Sequence, residues 1–253
     1  LNDTWKYVGL KNWQWLFAGS GAKYLWNSLK VTFLYSMGEI LVTMVGGMLL
    51  ALLFNRMTRS FGLMRAFVFV PKYVAMSSAA VVFLWILNTD SGVLNYLLQC
   101  IGLPAVDWLN QQSTALPSVL MLTGWRVIGY GMMIYLSAMM GISQEYYEAA
   151  SLDGANGVQK FFRITLPLLS PTTLFLLVTT FLSSMKVFQS VDILTSGGPA
   201  RSTEVFVYLI YRYAMVDFRM DRAATAAVMF FLILLVITVL TMKVSDRSVT
   251  YDS

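Results

Sequence analysis

Long apolar stretches separated by short polar ones dominate the pattern of this chain. A helix needs about 20 apolar residues to cross the roughly 30 Å hydrocarbon core of a bilayer. We therefore predict an all-α, polytopic membrane protein with five transmembrane helices, and a further short helix at Thr203–Ala214. The five lie at about 25–54, 66–87, 114–140, 164–186 and 223–243. The transmembrane domain then covers residues 25–244, between an aromatic external interfacial segment at 1–24 and a cytoplasmic tail at 245–253.

Basic residues in the polar connections indicate which side of the membrane each faces, because Lys and Arg are enriched on the cytoplasmic side. The connection after the first helix is predicted to be cytoplasmic, since it holds Arg56, Arg59 and Arg65. Residues 88–112 contain no Lys or Arg and are predicted to be external. Residues 188–222 should then also be external, although four arginines there oppose the rule. These are Arg201, Arg212, Arg219 and Arg222.

The polar interruption Glu145–Pro171 is patterned like a pair of short helices. The first is predicted at Gln144–Leu152, with Ser143 as its N-cap and Gly154 as a left-handed residue after its end. After a second turn, another helix is predicted at Val158–Ile164. Alanines between tyrosines and a glutamate leave a flat surface on the first helix, which fits a groove on another protein.

Composition agrees with a membrane protein and excludes several other classes. Apolar residues make up 57% of the chain and charged residues 12%, with a mean hydropathy of +0.65. A soluble domain carries roughly twice that charge fraction. The net charge of +5 is scattered, so we predict no nucleic-acid partner. A single cysteine, Cys100, and no histidine leave neither an internal disulfide nor the usual zinc ligands. No glycine-rich loop precedes a Lys-Ser or Lys-Thr pair, so any ATP hydrolysis must belong to another chain.

Several motifs together carry a resemblance to a known family. In the polar interruption they are Glu148-Ala149-Ala150, Asp153-Gly154-Ala155 and the ending Ile164-x-Leu166-Pro167. Elsewhere they are Gly9-Leu10-x-Asn12, Pro71, Trp85, Trp125 and Thr195-x-Gly197-Gly198-Pro199. From about Tyr7 to about Val244, the chain resembles membrane subunits of binding-protein-dependent ABC importers, in the carbohydrate branch that includes maltose and glycerol-phosphate permeases. Five spans and a cytoplasmic C-terminus place Leu1 on the external side. The resemblance implies the type I ABC importer permease fold, with a sixth helix ahead of Leu1; a cleaved signal peptide would also place Leu1 outside.

The resemblance also implies partners and a coupling site. The partners are a second homologous permease subunit, two ATP-binding subunits that hold ATP and Mg, an extracytoplasmic solute-binding protein and membrane lipid. The expected location is a bacterial or archaeal cytoplasmic membrane, and this chain is expected to be a transport subunit without catalytic residues, cofactor or metal. Its cytoplasmic loop 141–166 resembles the EAA loop that docks on the ATPase. There Glu148 would make a polar contact, Ala149 and Ala150 a close approach, and Asp153 and Gly154 the bend.

Charged groups are costly within a bilayer and therefore indicate a solute pathway. The candidates are Glu39, Lys72, Arg126 and Lys186, with Gln189 and Asp192 close to the end of a span. The alternative is structural, because a lysine near a helix end can extend to water and Glu39 can pair with a basic neighbour. Arg126 gives no evidence for an anionic solute, because a basic residue after this tryptophan is common among carbohydrate permeases.

Two helix faces are expected to line a sugar cavity, by similarity to a maltose-type permease. The first comprises Thr123, Arg126, Val127 and Tyr130, and the second Thr180, Ser183, Ser184 and Val187. Steps of three, one and three residues place each set on one helical face. The maltose permease has asparagines at two second-face positions where Ser184 and Val187 stand, which argues against maltose itself. Close packing of membrane helices is the alternative explanation for these small and hydroxyl residues.

The turn after the fourth predicted span completes the set of candidate sites. By the same resemblance, Thr195, Gly197, Gly198 and Pro199 face the solute-binding protein.

The hypothesis from sequence is a permease subunit that forms the pathway for a sugar or related polyol. The alternatives are an ion-coupled secondary transporter or channel, with Glu39 as its coupling acid, and an accessory membrane protein without a pathway.

Overall fold

The computed structural model describes residues 7–55 and 58–248, and within those ranges the chain is helical with no β-strand. The helices are α1 (Lys11–Phe17), α2 (Ala22–Leu53), α3 (Arg59–Phe69), α4 (Met76–Ile86), α5 (Val93–Cys100), α6 (Gln112–Met140), α7 (Gln144–Leu152), α8 (Gly157–Leu168), α9 (Ser170–Ser184), α10 (Gln189–Thr195), α11 (Phe206–Val216) and α12 (Met220–Ser248). The all-α prediction is confirmed. The predicted roles of residues 1–6, Arg56 and the tail beyond residue 248 fall outside the described ranges.

Three helices in the described part are long and apolar enough to cross a membrane: α2, α6 and Met220–Thr241 of α12. The second and fourth predicted spans are not single helices. The second is Ser60–Tyr73 followed by α4 at an angle of 103°, and the fourth is α8 followed by α9 at 63°. The prediction of five spans holds only if each bent pair is counted as one.

A proline lies close to each bend. Pro71 lies in a 3₁₀ turn at Val70–Tyr73, and Val74 then takes an extended conformation with ψ 131°. Pro171 begins the second helix of the other pair and has no N–H to donate to the preceding turn. A continuous apolar sequence can therefore contain a sharp turn at a position that composition alone does not mark.

The segments predicted as external loops contain helices that the sequence reading missed. Residues 88–112 contain α5, which is anchored by Asn95. The buried Asn95 amide donates to the carbonyls of Thr89 and Val106, and its oxygen accepts from Val106 N and from Trp108 Nε1. Residues 188–222 contain α10. The helix predicted at Thr203–Ala214 begins at Phe206 instead, because Val205 is still extended with ψ 162°.

The chain divides into two compact units, each formed from three segments. The first comprises Leu1–Tyr35, Ala80–Val119 and Met185–Val239. Its buried residues include Leu25, Phe206 and Phe230. The rings of Phe206 and Phe230 stack at 4.9 Å, and Phe206 N donates to Thr32 Oγ1 at 2.8 Å. These contacts join the α11 and α12 regions to the start of α2.

The second unit comprises Ser36–Ala79, Leu120–Ser184 and Leu240–Ser253. Its core joins the α2, α6 and α9 segments through buried Met48, Met132, Tyr135, Leu136, Leu169 and Leu176. Glycines allow the backbones to approach closely, as in many membrane helix pairs. A Cβ on Gly47 would lie 2.8 Å from the backbone of Gly131. This unit contains both the polar cavity and the paired short helices described next.

Candidate functional site

The second unit encloses a polar cavity of about 230 Å³. Its lining combines one carboxylate, one ammonium group, several hydroxyls and one aromatic ring. The lining residues are Glu39, Thr43, Lys72, Val127, Tyr130, Thr179, Thr180 and Ser183. Glu39 is only 6% exposed although it is ionisable. A buried ionisable group within membrane-length helices indicates a functional site.

Helix distortions place several of these side chains at the cavity. Thr43 lies in a π-helical turn at Val42–Gly46 of α2, one turn after Glu39. Such turns inside an α-helix are frequent at functional sites. Gly131 of α6 lies so close to the Thr43 carbonyl that a Cβ there would overlap it. The absence of a side chain at Gly131 therefore lets α6 contact the distorted turn directly.

Lys72 is presented to the cavity by the turn that ends the α3 segment. Its Nζ lies 4.8 Å from the centroid of the Tyr130 ring, which is a cation–π distance. Arg126 Nη2 donates to the Lys72 carbonyl at 3.2 Å, and Nη1 contacts Met76 Sδ at 3.4 Å. Arg126 thus braces both sides of the bend between α3 and α4, and so positions Lys72.

The Thr179 and Ser183 hydroxyl groups of α9 donate hydrogen bonds to backbone carbonyls of their own helix. Ser183 Oγ donates to the Thr180 carbonyl at 2.9 Å, and Thr179 Oγ1 donates to the Phe175 carbonyl at 2.8 Å. A hydroxyl oxygen has two lone pairs. These groups are consequently suited to accept hydrogen bonds from a solute that carries hydroxyl groups of its own.

The structure brings together half of the residues expected to line a sugar cavity. Val127, Tyr130, Thr180 and Ser183 line the cavity, as do the pathway candidates Glu39 and Lys72. Thr123 and Ser184 are buried away from its lining, and Arg126 contacts the bend instead.

The expected helical face fails at Val187, because α9 ends at Ser184 and Val187 lies beyond it. Lys186, Gln189 and Asp192 do not line the cavity either. Thr43 and Thr179 were missed by the sequence reading. Thr43 lies four residues after Glu39, on the same face of an ideal helix, and that spacing could have identified it.

The paired short helices have the local geometry that the sequence indicates. Helix α7 has the predicted bounds, and Ser143 Oγ accepts from Glu145 N at its start. At its end Gly154 has φ +77°. Ala155 N donates to the Ala150 carbonyl and Gly154 N to the Ser151 carbonyl, at 2.9 and 3.1 Å. This pair of bonds is a Schellman motif, which requires a left-handed residue at Gly154.

Helix α8 starts in a capping box, in which Asn156 and Gln159 each accept from the other's backbone N–H. Side chains then tie the two helices together. Lys160 Nζ donates to Ser151 Oγ at 2.6 Å, and the hydroxyls of Tyr147 and Thr165 are 2.9 Å apart. The bent pair is thus a defined structure and not a loose linker.

One surface of the bent pair is exposed and largely apolar. Leu152 is 91% exposed, and Val158 and Phe162 are also exposed. Glu148 and Ala149 are exposed as well, Ala150 is half-buried, and Asp153 and Gly154 are exposed at the bend. Exposed apolar clusters rimmed by polar residues are typical of protein interaction sites. This surface is the one a partner chain would cover.

The predicted external turn, at residues 195–199, belongs to the first unit and is held in place by hydrogen bonds. Thr195 Oγ1 lies 2.7 Å from Thr203 Oγ1, which donates to the Gly198 carbonyl at 2.7 Å. Gly197 is buried with φ +76°, whereas Thr195, Gly198 and Pro199 are half-buried.

A buried carboxylate, that of Glu204, forms two ion pairs next to this turn. Glu204 pairs with Arg201 at 3.0 Å and with Arg212 at 3.2 Å. Burial raises the pKa of Glu204, against the opposing effect of the two guanidinium groups. Among the residues that the structure describes, no cluster of three or more His, Cys, Asp or Glu side chains could hold a metal ion.

These features define a class of protein: a helical membrane protein with a polar cavity among its spanning segments and an exposed bent helix pair suited to a partner. The chain belongs to the family described as binding-protein-dependent transport system inner membrane component, which matches residues 15–251. It is therefore a permease subunit of an ABC importer, as the sequence motifs predict.

Curated relatives and a solved structure agree with this family. The chain is 34% identical to the probable ABC transporter permease protein YurN of Bacillus subtilis, over 94% of this chain and 82% of that protein. It is 33% identical to the sn-glycerol-3-phosphate transport system permease protein UgpA of Agrobacterium fabrum, over 97% of this chain and 83% of the relative. A bacterial ABC transporter involved in the import of the acidic polysaccharide alginate contains a similar chain. The TM-score is 0.85 and the identity 27%, with 96% of this chain and 85% of that chain covered.

Proposed function

We propose that this chain forms part of the membrane pathway for a carbohydrate or related polyol and couples its movement to ATP hydrolysis by partner subunits. The relatives support the solute class, since one is named for sn-glycerol 3-phosphate and the structural neighbour for alginate. The observation that carries the proposal is the polar cavity, which lies in the same unit as the bent helix pair. It combines Glu39 and Lys72 with hydroxyls that have accepting lone pairs.

The cavity chemistry suits a solute rich in hydroxyl groups. A carboxylate accepts from sugar hydroxyls, an ammonium donates to them, and an aromatic ring packs against their C–H faces. Many weak contacts of this kind orient the solute in the cavity and still bind it weakly enough for it to be released. Of the residues expected from sequence, we assign solute contact to Val127, Tyr130, Thr180 and Ser183. We assign support of the cavity wall to Thr123, Arg126 and Ser184.

The size of the cavity favours a second membrane subunit. Its volume of about 230 Å³ is below the roughly 300–1,000 Å³ of usual small-molecule sites. A homologous permease subunit would complete the pathway. The assembly would lie in a bacterial or archaeal cytoplasmic membrane, with an extracytoplasmic solute-binding protein on the face that bears Thr195, Gly198 and Pro199. Gly197, which is buried, would support that face from beneath.

Coupling is assigned to the bent helix pair. Two ATP-binding subunits would hold ATP and Mg, and one would receive α7 in a groove. Glu148 would make the polar contact there, Ala149 and Ala150 the close approach, and Asp153 and Gly154 the bend. This chain would supply no catalytic residue and no cofactor site. Because coupling between two sites is reciprocal, the loaded solute-binding protein should stimulate ATP hydrolysis.

A bulky side chain in the cavity tests the proposal. Ser183→Phe should reduce solute uptake by at least about tenfold while basal ATP hydrolysis by the assembled importer persists, because the ring would fill the cavity and leave the bent pair unchanged. The matched control is Ser170→Phe, the same change on the same helix at an exposed position outside the cavity lining. Normal uptake by Ser183→Phe would remove this cavity from the pathway.

The buried carboxylate of Glu39 favours one other function, an ion-coupled secondary transporter in which that group carries a proton. This alternative predicts uptake by the chain alone in proteoliposomes, driven by a pH gradient without ATP. The ABC proposal predicts no uptake under those conditions. It predicts uptake only when both permease subunits, the ATP-binding subunits and the loaded solute-binding protein are present together with ATP.

A further inference from the structure

A second cavity, of about 590 Å³, lies in the first unit at the beginning of α2. It is open to the surface and is lined by basic, aromatic and amide side chains from two separate segments. The lining residues are Lys23, Tyr24, Trp26, Asn27, Lys30, Ala200 and Arg201. The proposed function assigns no role to this cavity, which we call the basic cleft.

The basic cleft concentrates positive charge on a fixed frame. Lys23 and Lys30 supply two exposed ammonium groups, and Arg201 adds a guanidinium that pairs with the buried Glu204 at 3.0 Å. Within the part of the chain that the structure describes, no carboxylate lines the cleft. Arg201 stacks over the Tyr24 ring at 3.8 Å, and its carbonyl accepts from Asn27 Nδ2 at 2.9 Å. These contacts hold the loop against α2, so one wall of the cleft is rigid while the two lysines remain exposed.

The position of the cleft places it at a membrane–water boundary. Helix α2 begins at Ala22 and is apolar enough to cross a membrane. Steps of three and four residues put Lys23, Trp26 and Lys30 on one helical face. Trp26 is 62% exposed, and large side chains of this kind are typical of the interfacial belt.

The same helical face continues into apolar residues. Phe33, three residues after Lys30, is 55% exposed, and Leu34, four residues after it, is 47% exposed. Along one helical face the stripe therefore carries two lysines with Trp26 between them, followed by the apolar residues Phe33 and Leu34 toward the membrane interior. That is the order of a phospholipid, with its phosphate at the surface and its acyl chains below.

We propose that the basic cleft binds the headgroup of an anionic phospholipid, with Lys23 and Lys30 around the phosphate, the Arg201 loop as the fixed wall and Phe33 and Leu34 along an acyl chain. Lys and Arg side chains beside an anionic membrane surface attract its headgroups by this charge complementarity. A free phosphate ion would use only the cationic part of the stripe, and an acidic protein segment would not use its apolar continuation. The lipid is the occupant that uses both parts.

Lipid binding to the assembled importer tests the proposal directly. The purified complex in a neutral detergent is titrated with phosphatidylglycerol or phosphatidylcholine, and bound lipid is counted by native mass spectrometry. Wild-type complex should prefer phosphatidylglycerol, and Lys23→Gln/Lys30→Gln should weaken that binding by about tenfold or more, since both ammonium groups beside the headgroup are removed. The control Lys11→Gln/Lys243→Gln removes the same charge at exposed positions outside the cleft and should behave as wild type.

Three results would overturn the proposal. The first is an unchanged lipid preference in Lys23→Gln/Lys30→Gln. The second is displacement of phosphatidylglycerol by millimolar inorganic phosphate, which would assign the cleft to a free anion. The third is weaker binding of the cognate solute-binding protein with unchanged lipid binding, which would assign it to an acidic protein surface. The lipid count does not depend on transport, so the proposed function can fail without affecting this test.

Discussion

Gly154 ends α7, the helix to which we assign coupling, in the left-handed conformation that the sequence predicts. Its φ of +77° closes the Schellman motif after α7, and a Cβ there would meet no atom within 4 Å. The penalty for another residue is therefore conformational, about 1–2 kcal/mol for a residue in the left-handed region. Asparagine tolerates that region far better than a β-branched residue does.

Gly154→Val is accordingly expected to weaken association with the ATP-binding subunit by about tenfold, or to abolish stimulated ATP hydrolysis, because the bend can no longer form without strain. Gly154→Asn should retain most of both. Gly157→Val makes the same change three residues later at an uncrowded glycine without a positive φ, and serves as the matched control. Association is measured by co-purification, and hydrolysis with loaded solute-binding protein present. Equal behaviour of all three variants would contradict the role of Gly154.

Residue-level prediction from the sequence succeeds where a signal is local. Ser143 and Gly154 are capping residues, and they fix the bounds of α7 without reference to the rest of the fold. Helical spacing likewise puts Val127 and Tyr130 on one helical face and Thr180 and Ser183 on another. Both pairs line the polar cavity, whose solute stays a proposal. Helical spacing fails for Val187, because it assumes a continuing helix and α9 has ended.

At the scale of elements, close backbone contacts hold the cavity walls together. Gly129 of α6 lies so close to the Val68 carbonyl of α3 that a Cβ would overlap it. Both residues belong to the second unit, and Lys72 follows Val68 by one helical turn. The spacing of α3 from α6 therefore determines where the Lys72 ammonium lies in the cavity.

Gly129→Ala should lower the midpoint of thermal unfolding of the purified importer and reduce solute uptake, because forced overpacking costs about 1–3 kcal/mol. Gly62→Ala, on α3 with open space around it, should be neutral or slightly stabilising, since alanine is the better helix former. Both variants are measured by thermal denaturation in detergent and by uptake in proteoliposomes. Similar unfolding temperatures for the two would show that α3 and α6 do not require this close approach.

The sharp bends and the helices within loops could not be predicted from the sequence. The hydropathy is continuous across Val74, so the apolar pattern gives one span where the chain turns by 103°. Helix α5 depends on Asn95, whose four hydrogen bonds reach backbone and side-chain groups as far along the chain as Trp108. Such contacts form only in the folded chain, and no repeat of apolar and polar residues in the sequence marks them.

At the scale of the whole molecule, the chain exposes surfaces that a membrane and partner chains would cover. Only 33% of the apolar window of α2 and 17% of that of α12 is buried within the chain. The bent pair exposes Leu152, Val158 and Phe162. The composition predicts the first kind of surface, because it indicates a membrane protein. The second kind was expected from the flat alanine surface of the first short helix, and the EAA motif identified an ATP-binding subunit as its expected partner.

The central claim is that the α7 surface faces the cytoplasm and contacts an ATP-binding subunit. Its most direct test is site-specific cross-linking in a chain with Cys100→Ser, which removes the single native cysteine. Ala149→Cys should cross-link to the ATP-binding subunit of the assembled importer, and in intact cells it should be protected from a membrane-impermeant thiol reagent. Asp90 is exposed and lies in the predicted external loop. Asp90→Cys should therefore be labelled by the reagent in intact cells and should not cross-link to the ATP-binding subunit. External labelling of Ala149→Cys, or no cross-link to the ATP-binding subunit in the assembled complex, would contradict the account.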